Sequence, residues 1–152
     1  INAVEDCKGL EHRLELFTTQ NGVRWFNDSI STIPEAAINA VEGIGDVRTL
    51  IIGGMDRGIP YGELENYIAS GKVENVIFAY ESGKRVLKET EPLCPKCSLF
   101  EVADIYEAAD KAKEITKNGS VLFSPAAASY GYFKNFEERG TKFKEYVLKG
   151  TK

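Results

Sequence analysis

Apolar and polar positions along this chain follow two alternating rhythms. "RLELFTTQ" and "VRWFNDS" are short apolar-rich stretches on either side of "QNG". Asn21-Gly22 is a strong hairpin signal, because both residues tolerate the positive φ of a tight turn, so the two stretches predict an antiparallel strand pair. "TIPEAAINAVEGI" then repeats apolar residues at helical spacing, with Thr32 available near its start, Pro34 and Glu35 in the first turn, and Gly43 or Gly45 near the end. The alternation continues with strand "VRTLIIGG", helix "YGELENYIAS", strand "VENVIFAY", helix "SGKRVLKET", strand "SLFEV" and helix "IYEAADKAKEITKN". Strand "SVLFSPA" and a final helix over "FKNFEERGTKFKEYVLKG" complete it. Strands separated by helices need parallel crossovers. The expected fold class is therefore α/β, a mostly parallel sheet with an antiparallel strand near the N-terminus and helices on both faces.

Composition narrows the function classes. A chain of 152 residues with 43% hydrophobic residues supports one good core rather than two, so a single domain is expected. The net charge of -4, with lysines and arginines scattered among acids, argues against nucleic acid as a partner. No apolar stretch approaches the roughly 20 residues of a membrane span, and no charged-then-apolar leader opens the sequence, so we expect no membrane partner and a cytoplasmic location. The start, "INAVEDCKGLEHR", lacks methionine and is expected to be part of a longer protein. Cys7, Cys94 and Cys97, with the "CPKC" pair, and the single His12 invite a zinc or redox reading. No second cysteine pair supports it, and an odd number of cysteines fits free thiols in a reducing compartment, so no metal is assigned.

Candidate chemistry gathers after three of the strands. "NDSISTIPEA" places Asp28, Ser29, Ser31 and Thr32 just before a helix N-terminus, where plain N-capping would need only one of them. In "GGMDRG", Gly53 and Gly54 allow a sharp turn and Arg57 is placed to receive a carboxylate or phosphate, or else is simply solvated. "SPAAASYGYFKNFEERG" sets small residues beside Ser129, Phe133 and Phe136, which fits either close strand-helix packing or the close approach of a ligand. All three are expected at the carboxyl edge of the sheet, where open α/β folds bind ligands against free backbone N–H groups. The glycine spacing matches neither a Walker loop nor a dinucleotide fingerprint, and no histidine supports a nucleophile. Chemistry alone thus points to a substrate-binding module and assigns no catalytic residue.

"GLEHRLE", "NGVRWFNDSISTIPEA", "LIIGGMDRG" and "LFSPAAASYGYFKNFEERGTKF", in this order, resemble the C-terminal domain of the Mur ligases, in the branch that adds D-glutamate to UDP-N-acetylmuramoyl-L-alanine for peptidoglycan. The resemblance covers nearly the whole chain. It implies a Rossmann-like three-layer domain over 1–152 that binds the amino acid, with UDP-binding and central ATPase domains outside this chain. It also implies ATP-dependent amide formation through an acyl phosphate, with ATP and Mg2+ held mainly by the central domain. In this picture Arg13 and Asp28 reach the phosphates and ribose of ATP, while Thr32, Arg57, Ser129, Tyr130 and Phe136 serve D-glutamate. The enzyme is expected to be a monomer, and the isolated domain inactive. Two positions depart from the family pattern: Arg57 stands where lysine is common, and Ile30 stands where relatives have the lysine of "NDSKAT". Another Mur or folylpolyglutamate-type ligase domain, or a non-catalytic small-anion-binding α/β module, remain as alternatives.

Overall fold

Asn21 and Gly22 take φ of 53° and 79° and close a hairpin between β1 (Glu15–Gln20) and β2 (Val23–Asn27). These are the conformations for which the Asn-Gly pair is suited. The computed structural model describes residues 10–150, so Cys7 lies outside the described residues. After the hairpin come α1 (Pro34–Ile44), β3 (Val47–Ile52), α2 (Gly62–Ala69), β4 (Asn75–Ala79) and α3 (Tyr80–Thr90). A 3-10 turn (Glu91–Leu93) leads to β5 (Ser98–Val102), α4 (Ile105–Ile115), β6 (Ser120–Phe123) and α5 (Phe136–Lys149). The six strands form one sheet in the order β1-β2-β6-β3-β4-β5, in which only β1 and β2 run antiparallel. The Rossmann-like α/β expectation holds.

Strand alternation sorts the apolar side chains into two cores. Leu50, Ile52, Val76, Phe78 and Leu122 point to one face and pack against α1, α2 and α3. Ile51, Ile77, Val121 and Phe123 point to the other, where Trp25 and Phe143 join them under α4 and α5. Because both faces are covered, "TLII" and "NVIFA" read as continuous apolar runs rather than alternating ones.

Several expectations need correction. The final helix starts at Phe136, not Phe133, because Asn135 caps it: its side chain accepts from the Glu138 N–H at 2.8 Å, while Glu138 reaches back to the Lys134 N–H at 2.9 Å. Tyr80, placed on a strand by sequence, opens α3 with φ of 62°. β6 ends at Phe123 and α4 at Ile115, each shorter than expected. None of the hydroxyl residues before α1 caps it; Ile33 is the N-cap and makes no side-chain cap hydrogen bond. Cys94 and Cys97 are not free thiols but a disulfide. The turn that follows α3 folds Cys97 N–H onto the Cys94 carbonyl at 3.1 Å and holds the two Cα atoms 5.5 Å apart, within bonding reach.

Candidate functional site

Strands β2, β6 and β3 are parallel neighbours in the middle of the sheet, so the segments that leave their carboxyl ends, 28–33, 124–135 and 53–61, meet on one edge. Backbone hydrogen bonds join them: Gly53 N–H donates to Pro125 O and Met55 N–H to Ala128 O, both at 2.9 Å. The glycine pair makes that approach possible. A Cβ on Gly53, whose φ is 122°, would lie 1.8 Å from Ala79 O, and one on Gly54 would lie 2.6 Å from Ala128 O.

The cluster of Asp28, Ser29, Ser31 and Thr32 ties these segments together. Asp28 accepts from the Leu14 N–H at 3.0 Å and from the Ser124 hydroxyl at 2.8 Å. The Ser31 hydroxyl accepts from the Ala126 N–H at 3.3 Å. The Ser29 hydroxyl donates to Phe136 O at 2.7 Å and accepts from Arg139 Nε at 3.0 Å. Arg139, fully buried, also donates to Ser29 O at 2.6 Å and Ala127 O at 2.9 Å. It therefore bolts the first segment to the last, and burial lowers its pKa to about 10, leaving it charged at neutral pH.

Sequence reasoning gave Arg139 no role. One signal was available: Arg139, Phe143 and Val147 follow at four-residue steps on the buried face of α5, so the arginine occupies an apolar position of that stripe. Gly140 beside it leaves room for His12, because a Cβ there would lie 2.2 Å from His12 Nδ1. That nitrogen is 2.9 Å from Asn27 Nδ2, and His12 O accepts from the Ile30 N–H at 3.1 Å. The "HR", "NDS" and "ERG" blocks are thus parts of one interlocked structure.

Arg13, Asp28, Ile30 and Thr32 line a cavity of about 410 Å³ together with residues of α1. Arg57, exposed and not among the lining residues, donates from Nη2 to Thr32 O at 3.1 Å. Arg13, Asp28 and Thr32 therefore share one cavity, with Arg57 attached to it through Thr32, and Ile30 presents an apolar wall where a lysine was expected from the resemblance. Ser129, Tyr130 and Phe136 do not line this cavity. Ser129 is buried in the final segment with its carbonyl accepting from the Tyr132 and Phe133 N–H groups, while Tyr130 is 62% exposed. Phe136 packs edge-on against His12 with ring centroids 6.0 Å apart.

Burial pushes the Asp28 carboxyl up to about 6, against the opposing pull of Ser124, Leu14 and Arg13. A folded-state value above the unfolded one means that the fold favours the protonated form. Its contribution is fully present below about pH 4 and is lost as pH rises through about 6. Asp28→Asn keeps the acceptor for Leu14 and offers an amide to Ser124. We expect it to be more stable than wild type by roughly 2 kcal/mol at about pH 7.5 and equally stable near pH 4. Melting curves at the two pH values check this, and a difference that does not change with pH would contradict it. Among the described residues, no three His, Cys, Asp or Glu side chains converge to hold a metal ion, and both Asp28 oxygens already have partners. The residues present do not fit a magnesium site.

No protein-family model matches the chain. It is 41% identical over 147 residues to a UDP-N-acetylmuramoylalanine–D-glutamate ligase of Alkaliphilus oremlandii, a match covering 96% of this chain and 32% of the relative. The chain matches Mur ligases over nearly its whole length, consistent with a Mur ligase C-terminal domain. Its Mur relatives also include a UDP-N-acetylmuramoyl-L-alanine–L-glutamate ligase of Salinispora tropica, 37% identical over 147 residues and covering 95% of this chain and 32% of that one. The chain spans about a third of the length of the curated relatives it matches. Among solved structures, the UDP-N-acetylmuramate-alanine ligase of Thermotoga maritima superposes with a TM-score of 0.61 at 16% identity, over 97% of this chain and 32% of its own. This supports the same Mur ligase fold. Among the described residues, no helix is long and apolar enough to cross a membrane.

Proposed function

We propose that this chain is the amino-acid-accepting C-terminal domain of an ATP-dependent ligase that joins D-glutamate to UDP-N-acetylmuramoyl-L-alanine. The observation that carries this reading is the contact of Arg57 with the carbonyl of Thr32, a residue that lines the cavity together with Arg13 and Asp28. It sets a guanidinium fork, suited to a carboxylate, beside a basic and an acidic group suited to phosphate and ribose. In the proposed reaction ATP phosphorylates the acyl carboxylate of the UDP-linked substrate. The glutamate amine attacks the acyl phosphate, and the tetrahedral intermediate releases phosphate.

The chain's own residues bind and orient. Arg57 and Thr32 hold the amino acid, Ser129 and Tyr130 of the 124–135 segment and Phe136 of α5 serve it from outside the cavity, and Arg13 and Asp28 engage ATP. Fixing the amine converts a bimolecular attack into an effectively unimolecular one. Closure against the domain bearing ATP would also keep water from the acyl phosphate. Magnesium and most contacts to ATP fall to the rest of the protein, which we place in the cytoplasm because the reaction consumes ATP.

A second reading, with L-glutamate as acceptor, is favoured by the Salinispora relative, whose identity is close to that of the D-glutamate ligases. Phosphate release by the full-length protein, with ATP, magnesium and UDP-N-acetylmuramoyl-L-alanine, separates them. We expect release that depends on D-glutamate. Dependence on L-glutamate would keep the reaction and overturn the specificity, whereas no amino-acid-dependent release would overturn the ligase reading. Arg13→Ala should raise the KM for ATP more than that for glutamate.

A further inference from the structure

Arg57 is exposed, yet the residues around it are held firmly from a distance. Arg85, midway along α3, donates from Nε to Asp56 Oδ2 at 2.8 Å and from Nη2 to Asp56 Oδ1 at 2.9 Å. The same Nη2 reaches Ile59 O at 2.8 Å, and the guanidinium carbon lies 5.1 Å from the Tyr61 ring centroid. Asp56 also accepts from the Gly58 N–H at 2.9 Å. Tyr61 in turn donates its hydroxyl to Ala126 O at 2.6 Å, linking the 53–61 segment to the final one. Residues 56, 58, 59 and 61 are therefore fixed around a single guanidinium, and Arg57 projects from the middle of that frame.

We propose that Arg85 is a positioning residue for the acceptor amino acid, holding the 53–61 segment so that Arg57 meets a carboxylate of the incoming substrate. This rests on the ligase reading given above. Stability alone gives a weak reason for the arrangement. The Arg85 and Asp56 side chains are 29% and 23% exposed, and partly solvated ion pairs add little to folding free energy. A two-pronged pair nevertheless fixes geometry, and Asp56 is kept ionised because Arg85 and the Gly58 N–H lower its pKa. Glu89, one turn along α3, lies 3.5 Å from Arg85 Nη1 and restrains the guanidinium from its other side. Small displacements of an orienting group are costly in rate even where the fold is intact.

The test is steady-state kinetics of the full-length protein carrying Arg85→Lys, Asp56→Asn and both together, using whichever glutamate enantiomer the wild type consumes. Lysine retains the charge and asparagine the shape, but neither pair retains the fork. Each single variant should raise the KM for glutamate about 10-fold, change the KM for ATP and for UDP-N-acetylmuramoyl-L-alanine less than about twofold, and leave the melting temperature nearly unchanged. The double variant should be no worse than either single one, because both break the same link. An unchanged KM for glutamate in the single variants, a parallel rise for all three substrates, or fully multiplicative effects in the double variant would overturn the inference while leaving the ligase reading intact. A wild-type protein with no glutamate-dependent phosphate release would overturn the ligase reading, and this inference with it.

Discussion

Gly53→Ala is expected to lower stability by about 4 kcal/mol, among the largest effects of any single substitution in this chain. Two causes add. The φ of 122° lies where residues with a side chain are strained by about 1–3 kcal/mol. The new methyl would also stand 1.8 Å from Ala79 O and 2.8 Å from the Ala79 carbonyl carbon, which are backbone atoms at the end of β4 and cannot turn aside as a flexible side chain can. Relief requires the 53–61 segment to move, and that breaks the hydrogen bond from Gly53 to Pro125. For a domain of this size the melting temperature should fall by roughly 8–16 °C. A calorimetric scan showing a fall of only a degree or two would mean that the segment relaxes freely.

Arg57→Ala, in the full-length protein, is expected to raise the KM for glutamate about 100-fold, equivalent to the roughly 2–3 kcal/mol of a charge-assisted pairing with a carboxylate. Folding should barely change, since Arg57 is exposed and its one hydrogen bond runs to the Thr32 carbonyl. Arg57→Lys should recover part of the loss, because a point charge replaces the fork. Ser129→Ala should act in the same direction but less strongly. Initial-rate kinetics with each substrate varied in turn decide the matter, and an equal rise in the KM for ATP would show that Arg57 does not belong to the amino-acid side.

The hairpin, the order of strands and helices, and the meeting of the three segments on one edge were legible because they follow from local signals. Asn21-Gly22, the apolar runs of β3 and β4, and the helical spacing of α1 each act over a few residues. What stayed hidden depends on partners far away in sequence. Ser29 serves Arg139, 110 positions later, rather than the helix that follows it. Gly140 is small because of His12, a residue at the other end of the domain. The Cys94–Cys97 bond was missed because counting cysteines says nothing of the turn that folds "CPKC" back on itself. Arg85 sits in an ordinary amphipathic helix, and only its reach to Asp56 distinguishes it.

The place of β6 carries a consequence for the order of events during synthesis. Among the six strands described, this one is made last, yet it lies between β2 and β3, which are made long before it. Until it inserts, those two strands lack the neighbour that joins them, and the apolar flanks they will share stay open to water or to other chains. Assembly of the fold and of its binding edge becomes one late event, governed by contacts of long sequence separation and correspondingly slow.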